Sequence, residues 1–453
     1  MFHAVAMVLT FLGAVVGLSL AFLSQRYWFA RAWRFAGRVH RPAWRKGLRG
    51  ALIAALGLFA LAALAAVTRN MRGAISRGSW SSAFLGLWLT SSIFSYLFIK
   101  IISGTEWLWR RLQASFSNEP AVPAALPIPA LAGGHAERID HSRRHFFQAA
   151  GVIAGAVPFV SAAYGFAEER FRFYVREVQI PIANLPAGLD GMRITQLSDI
   201  HIGSYMPVSQ VRRAVGMANE IGGDLTVVTG DFLTGRTDPL EDCIAELSRL
   251  RAPLGVWGCN GNHEIYARAE DAAQSLFAQA GMKLLRSENA QLTFNGASFN
   301  LIGVDYQRER TTGGRRVQLL QQVEPLVRRD MPNLLMSHNP NAFNRAAEMG
   351  IELTLAGHTH GGQIQVEILD HRLSPARFIT DYVAGLYHRP MFAPAPNDRA
   401  SKGSAFEASH GSLFPNRTGA LASIYVNRGL GTVGAPVRLG VPPEITLLTL
   451  RRA

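Results

Sequence analysis

The sequence predicts an α/β domain over residues 170–453, preceded by an all-α region of long apolar helices. Three observations predict it. Short β-prone apolar runs recur in the second part, each ending in a turn that carries an aspartate, histidine or asparagine. Stretches with apolar residues at helical spacing lie between some of these runs. The first 165 residues instead hold four largely uncharged apolar stretches of about 20 residues, the length at which a helix spans a bilayer.

Those stretches are 4–23, 50–68, 78–99 and 146–167. The second and fourth are rich in Ala and Gly, so their drive to insert is weaker. Charge divides the chain at the same place. Residues 1–165 hold 17 Lys+Arg and 4 Asp+Glu, whereas the remainder hold 29 and 28. The basic balance therefore belongs to loops beside membrane spans, and the α/β domain has no charge footprint for nucleic acid. Loop 24–49 carries eight positive residues (Arg26, Arg31, Arg34, Arg38, Arg41, Arg45, Lys46 and Arg49), and loop 69–77 carries three. The positive-inside rule places the first of these loops in the cytoplasm.

The resulting organisation is a three-span region at 1–111, a Pro/Ala-rich cytoplasmic linker at 112–141 and a fourth span within 142–167. Residues 170–453 then lie outside the cytoplasm, on an inner membrane crossed several times. Ser142-Arg143-Arg144-His145-Phe146-Phe147, ahead of the fourth stretch, resembles a twin-arginine export signal. Adjacent arginines also arise as plain positive-inside anchors. Val160-Ser161-Ala162 offers a signal-peptidase site, but three earlier spans favour an uncleaved anchor.

In the α/β domain the first strand ends with Ile194, Leu197 and Ile200, and a helix follows at 207–221. Leu225-Thr226-Val227-Val228 forms the next strand. Asp238 is expected as an N-cap, Pro239 in the first turn and Glu241 as the capping-box acid; Leu240, Cys243, Ile244, Leu247 and Leu250 then repeat at helical spacing. Val256-Trp257 is a third strand, and a helix at 268–280 stops at Gly281. Leu334-Leu335-Met336 and Leu353-Thr354-Leu355 supply two more strands. Residues 389–418, rich in Pro, Ser, Ala and Gly, form a flexible insertion. Cys243 and Cys259 are expected as unpaired core residues rather than a disulfide.

The strand ends carry the chemistry. Five blocks recur there: Asp199-Ile200-His201, Gly230-Asp231, Gly261-Asn262-His263-Glu264, Ser337-His338 and Gly357-His358-Thr359-His360. Asp199, His201, Asp231, Asn262, His338, His358 and His360 make a ligand set of carboxylates, imidazoles and one amide, without thiolate. It suits two neighbouring divalent ions such as Mn²⁺, Fe or Zn²⁺. Glycine before Asp231, Asn262 and His358 is expected to let the backbone turn sharply. Any one of these histidines taken alone reads as a core residue, and Asp-x-His alone is common. Five blocks in order, each behind an apolar run, are not.

These blocks resemble the calcineurin-like metallophosphoesterase superfamily, with residues 190–450 covering its catalytic domain. The tail Tyr425-Val426-Asn427-Arg428-Gly429-Leu430-Gly431, with Arg438-Leu439-Gly440 and Pro442-Pro443-Glu444, is similar to its membrane-associated YkuE/YaeI-like bacterial branch. The resemblance implies a two-sheet β-sandwich flanked by helices. It implies one ion on Asp199, His201, Asp231 and His360, the other on Asp231, Asn262, His338 and His358, and a catalytic His263. Such ion pairs lower the pKa of a shared water and bind phosphoryl oxygens during in-line attack. Glu264 reads either as the group orienting His263 or as an ordinary acid in a helix's first turn.

The expectation is a membrane-anchored phosphohydrolase, a phosphodiesterase or pyrophosphatase acting on an envelope or lipid-linked phosphate ester. Activity on soluble nucleotides is the alternative within the same chemistry. A receptor or scaffold that only binds is the alternative outside it, and the complete ligand set with His263 argues against that.

Overall fold

A computed structural model describes residues 2–71, 80–116, 134–307, 310–312, 315–317, 319–368, 371–378, 380–391, 406–407 and 420–453. The chain forms two compact units, Met1–Ile75 with Ser81–Ala163 and Ser76–Trp80 with Tyr164–Ala453.

The first unit is helical: α1 (Phe2–Gly37), α2 (Pro42–Met71), α3 (Trp80–Phe116) and most of α4 (Gly134–Ala167). Ala83–Leu112 and His145–Phe171 are long and apolar enough to cross a membrane. The expected spans 4–23 and 50–68 fall inside α1 and α2. Most of loop 69–77, of linker 112–141 and of insertion 389–418 lies outside the described residues; the first described residues after the linker gap already belong to α4, eight positions before the expected boundary. Polar side chains tie these helices together. Gln25 Nε2 donates to Ser92 Oγ at 2.7 Å, Trp88 Nε1 donates to Gln25 Oε1 at 2.9 Å, and Ser95 Oγ donates to the Gly155 carbonyl at 2.6 Å. These bonds join α1 to α3 and α3 to α4.

The second unit contains β1 (Tyr174–Ile182), β2 (Arg193–Leu197), α5 (Val208–Ile221), β3 (Leu225–Thr229), α6 (Leu240–Leu247), β4 (Val256–Cys259), α7 (Asn262–Ala267), α8 (Glu270–Gln279) and β5 (Lys283–Leu284). It continues with β6 (Glu288–Phe294), β7 (Ala297–Val304), the ribbon β8 (Arg310–Thr312) and β9 (Arg315–Val317), β10 (Asn333–Ser337), α9 (Phe343–Glu348) and β11 (Leu353–Ala356). The ribbon β12 (Val366–Ile368) and β13 (His371–Leu373) follows, then β14 (Gly385–Pro390), β15 (Phe406–Glu407), β16 (Leu421–Val426) and β17 (Glu444–Arg452). One sheet has the order β1-β17-β2-β3-β4-β5 and the other β15-β14-β16-β11-β10-β7-β6. Both are mixed, with a parallel centre: β2, β3, β4 and β5 in the first, β7, β10, β11 and β16 in the second.

Side-chain alternation explains the layers. Ile194, Leu225, Val227 and Trp257 of one sheet share a core with Leu301, Leu334, Met336, Leu353, Leu355 and Tyr425 of the other. The opposite faces carry helices: Leu197 and Val228 pack with α5, α6 and α8, while Leu335 packs with Ala342 and Ala346. This is the helix-flanked two-sheet sandwich expected.

Helices 207–221 and 268–280 form as α5 and α8, and Gly281 follows α8 at φ +73°. The expected cap of α6 is different. The Asp238 carboxylate accepts from the Thr234 and Gly235 backbone N–H groups at 2.9 and 2.7 Å, so it closes the preceding loop instead. Cys243 and Cys259 are buried and free, as expected, and burial pushes both thiols up.

Candidate metal centre

Each block sits just past the C-terminal end of a parallel strand. Asp199 follows β2, Asp231 follows β3, Asn262 follows β4, His338 follows β10 and His358 follows β11. The loops lock to one another through their backbones: His201 N–H donates to the Asp231 carbonyl at 2.9 Å, and Gly357 N–H to the His338 carbonyl at 3.2 Å. Five of the seven candidate ligands (Asp199, His201, Asp231, His358 and His360) have φ between +51° and +74°. A left-handed backbone costs a non-glycine residue about 1–2 kcal/mol, and such strain concentrates where a side chain must be aimed.

The glycine expectation holds in part. Gly230 has φ +80° and does make a sharp turn. Gly261 is extended (φ −93°, ψ −171°), and Gly357 has no left-handed φ. Space is what they provide: a Cβ at Gly261 would overlap Asp231 Oδ1, and one at Gly357 would overlap Ser198 Oγ and Asp199 Oδ2.

Six of the seven side chains, all but that of Asn262, converge in overlapping groups. His201 Nε2 lies 3.2 Å from His360 Nε2 and 3.4 Å from Asp231 Oδ2. His360 Nε2 is 3.4 Å from Asp199 Oδ1, and His338 Nε2 is 3.1 Å from Asp231 Oδ2. Three overlapping groups bring their ligand atoms within 4.8 Å of one another: Asp199/His201/His360, His201/Asp231/His263 and Asp231/His338/His358. Asp231 belongs to two of them. All seven are buried except His358, which is half-buried. Asn262 Oδ1 is buried and lacks a hydrogen-bond partner. His338 Nδ1 is 2.6 Å from the Thr229 carbonyl, so it carries a proton and Nε2 is the nitrogen that faces Asp231. Buried imidazoles gathered round two buried carboxylates, with an orphaned amide oxygen on the Asn262 side chain, fit a pair of divalent cations.

Electrostatics agree. Burial holds His201 and His360 well below the ordinary histidine range, and burial with the His338 charge holds His358 down to about 4. Neutral imidazole is the form that binds metal. His338 is the exception: burial works against its charge, but Asp231 and Asp199 raise it to about 10. A proton there stands in for the cationic charge the carboxylates call for.

Glu264 does more than either expected role. Its carboxylate accepts from the backbone N–H groups of Asp231 (2.9 Å), Phe232 (2.8 Å) and Gly261 (2.7 Å), clamping two ligand loops together. The Gly261 contact makes it a first-turn acid of α7. His263 is oriented by something else: its Nδ1 donates to the Thr234 carbonyl at 2.7 Å. Arg438, wholly buried, was not among the candidate site residues. Its Nη2 donates to the carbonyls of Arg428 (2.9 Å) and Gly429 (3.0 Å) and lies 3.5 Å from His360 Nδ1. The Arg438-Leu439-Gly440 pattern in the tail was the available signal.

Residues 192–362 match the calcineurin-like phosphoesterase family. This region is a calcineurin-like metallophosphoesterase domain with a buried Asp/His metal-binding cluster. Among its relatives, the chain is 29% identical over 290 residues to a transmembrane protein with metallophosphoesterase domain from Bos taurus, covering 62% of this chain and 57% of that one. It is 27% identical to the uncharacterized metallophosphoesterase YkuE of Bacillus subtilis, covering 68% and 98%, and 24% identical to the phosphodiesterase YaeI of Escherichia coli, covering 68% and 99%. The chain spans less than two thirds of the length of the Bos taurus relative.

Proposed function

We propose that this chain is a membrane-anchored, metal-dependent phosphohydrolase that cleaves a phosphodiester or pyrophosphate linkage in an envelope or lipid-linked ester, with residues 170–453 outside the cytoplasm. The observation that carries the chemistry is the buried cluster of Asp199, His201, Asp231, His338, His358 and His360, with the buried Asn262 Oδ1 left without a hydrogen-bond partner. In this reading Asp199, His201 and His360 hold one ion, Asn262, His338 and His358 hold the other, and Asp231 is shared. Two divalent ions there supply Lewis acidity toward phosphoryl oxygens and activate water at neutral pH.

The protein's own groups do the rest. Glu264 fixes the Asp231 and Asn262 loops relative to each other, and His263 N–H donates to Asp231 Oδ1 at 2.9 Å, aiming that carboxylate. With Nδ1–H committed to Thr234, the His263 Nε2 is the position from which a proton reaches a departing oxygen. The two apolar helices support anchoring, and tethering favours substrates confined to the same membrane by raising their local concentration. Hydrolysis of an aryl phosphodiester by the purified chain, with and without chelator, tests the reading. Activity that chelation abolishes and Mn²⁺ restores is expected; metal-replete protein inert toward every phosphate ester would overturn it.

A further inference from the structure

Two tyrosines outside all five blocks flank the cluster on different elements. Tyr266 lies on α7 three residues after His263, on the same helical face. Its ring centroid is 5.7 Å from that of His263, at 64°, and the residue is 49% exposed. Tyr306 follows β7, the strand beside β10. Its ring centroid is 5.2 Å from that of His358 and 6.1 Å from that of His338, and it is half-buried. Tyr266 thus stands beside the His201/Asp231/His263 group and Tyr306 beside the Asp231/His338/His358 group. A tyrosine that served only the core would be covered. At the rim of a buried polar cluster, a partly exposed ring offers an apolar face to whatever enters.

We infer that Tyr266 and Tyr306 are specificity residues for the two organic substituents of a phosphoric diester, Tyr266 touching the departing one and Tyr306 the retained one. The inference rests on His263 as proton donor, which fixes the departing side. Water adds its oxygen to phosphorus and releases a proton to solvent, the bond from phosphorus to the departing oxygen breaks, and that oxygen takes the His263 Nε2 proton, which solvent then restores. The second substituent stays on the phosphate product. A monoester has no second substituent, so Tyr306 has nothing to contact in it. The arrangement therefore selects substrates with groups on both sides of the phosphorus.

Full-length protein in detergent with Mn²⁺, assayed on bis(4-nitrophenyl) phosphate and 4-nitrophenyl phosphate, tests this. Tyr306→Leu is expected to lower kcat/KM about five- to tenfold on the diester, the size of a lost ring contact, and to leave the monoester within about twofold. Tyr266→Leu is expected to lower both by similar factors, because nitrophenolate departs in each case. Tyr306→Phe should keep the wild-type selectivity ratio. An equal effect of Tyr306→Leu on both esters, no effect on either, or loss of bound metal would overturn the assignment. Failure of the wild type to hydrolyse either ester would instead overturn the underlying reading.

Discussion

Asp231 illustrates how much one residue can carry. Its carboxylate lies 3.4 Å from His201 Nε2 and 3.1 Å from His338 Nε2, so both halves of the cluster lean on it. Asp231→Asn is expected to strip more metal than Asn262→Ala, read by elemental analysis against about two ions per wild-type chain. His263 also lies within ligand reach of His201 and Asp231, and its role divides on a different measurement. As proton donor, His263→Ala should keep its metals yet lose about 10²–10⁴ in rate on alkyl esters. The loss should be much smaller on nitrophenyl esters, whose leaving group hardly needs the proton; loss of metal instead would make His263 a ligand. Glu264 yields a pH prediction for the metal-free protein. Burial and the Asp231 charge push its carboxyl up from the ordinary 4.5 to about 7. A raised acid contributes stability below pH 4.5 that is lost as pH rises through about 7. Relative to Glu264→Gln, the metal-free wild type should therefore lose stability between pH 4.5 and 7.5, read by denaturant melts. A gap independent of pH would show the carboxyl ionised throughout. The buried Asp/His cluster was legible in the sequence because ligand chemistry shows in residue type and order. Glu264 as a loop clamp and Arg438 as a buried brace were not, because their partners are backbone groups that any sequence supplies.

At the level of elements, the apolar runs marked β2, β3, β4, β10 and β11 correctly, since a strand buried on both faces reads as unbroken hydrophobicity. Capping was less legible. Asp238 has the residue type of an N-cap, yet the Thr234–Asp238 loop uses its carboxylate first, a competition among local acceptors that spacing does not reveal. Glycine also separates what pattern shows from what space decides. Gly261→Ala would drive a methyl into Asp231 Oδ1, whereas an added Cβ at Gly216, within α5, meets nothing within 4 Å. The same substitution should act with opposite sign at the two sites. Gly216→Ala is expected to stabilise by about 0.5–1 kcal/mol. Gly261→Ala is expected to destabilise by about 1–3 kcal/mol, the cost of overpacking, and to weaken metal retention. Thermal melts and metal content of the two variants decide between them.

Across the whole molecule, the separation between a basic, apolar first part and a charge-balanced α/β domain was visible from composition alone. The pairing of strands far apart in sequence was not, because nothing local specifies which edge a distant strand joins. The proposed orientation follows from loop charge and the Arg143-Arg144 pair. A reporter that works only outside the cytoplasm, fused after residue 453, should be active, and one that works only inside should be silent. The reverse pattern would assign the site to the cytoplasmic face.

The placement of β17 has a consequence for how the protein is made. It lies between β1 and β2, with Tyr174 opposite Glu444 and Gln196 opposite Thr446, so the first sheet has a gap between its edge strand and β2 while residues 444–452 are still in the ribosome. Gly429 and Gly431, packed against Asp199 and His201, arrive just before that strand. During translation the nascent domain therefore presents unpaired β1 and β2 edges and an incomplete wall around its first ligands. Closure of this sheet therefore comes after every other strand of both sheets has been made, and any partner that shields the β1 and β2 edges acts until residues 444–452 arrive.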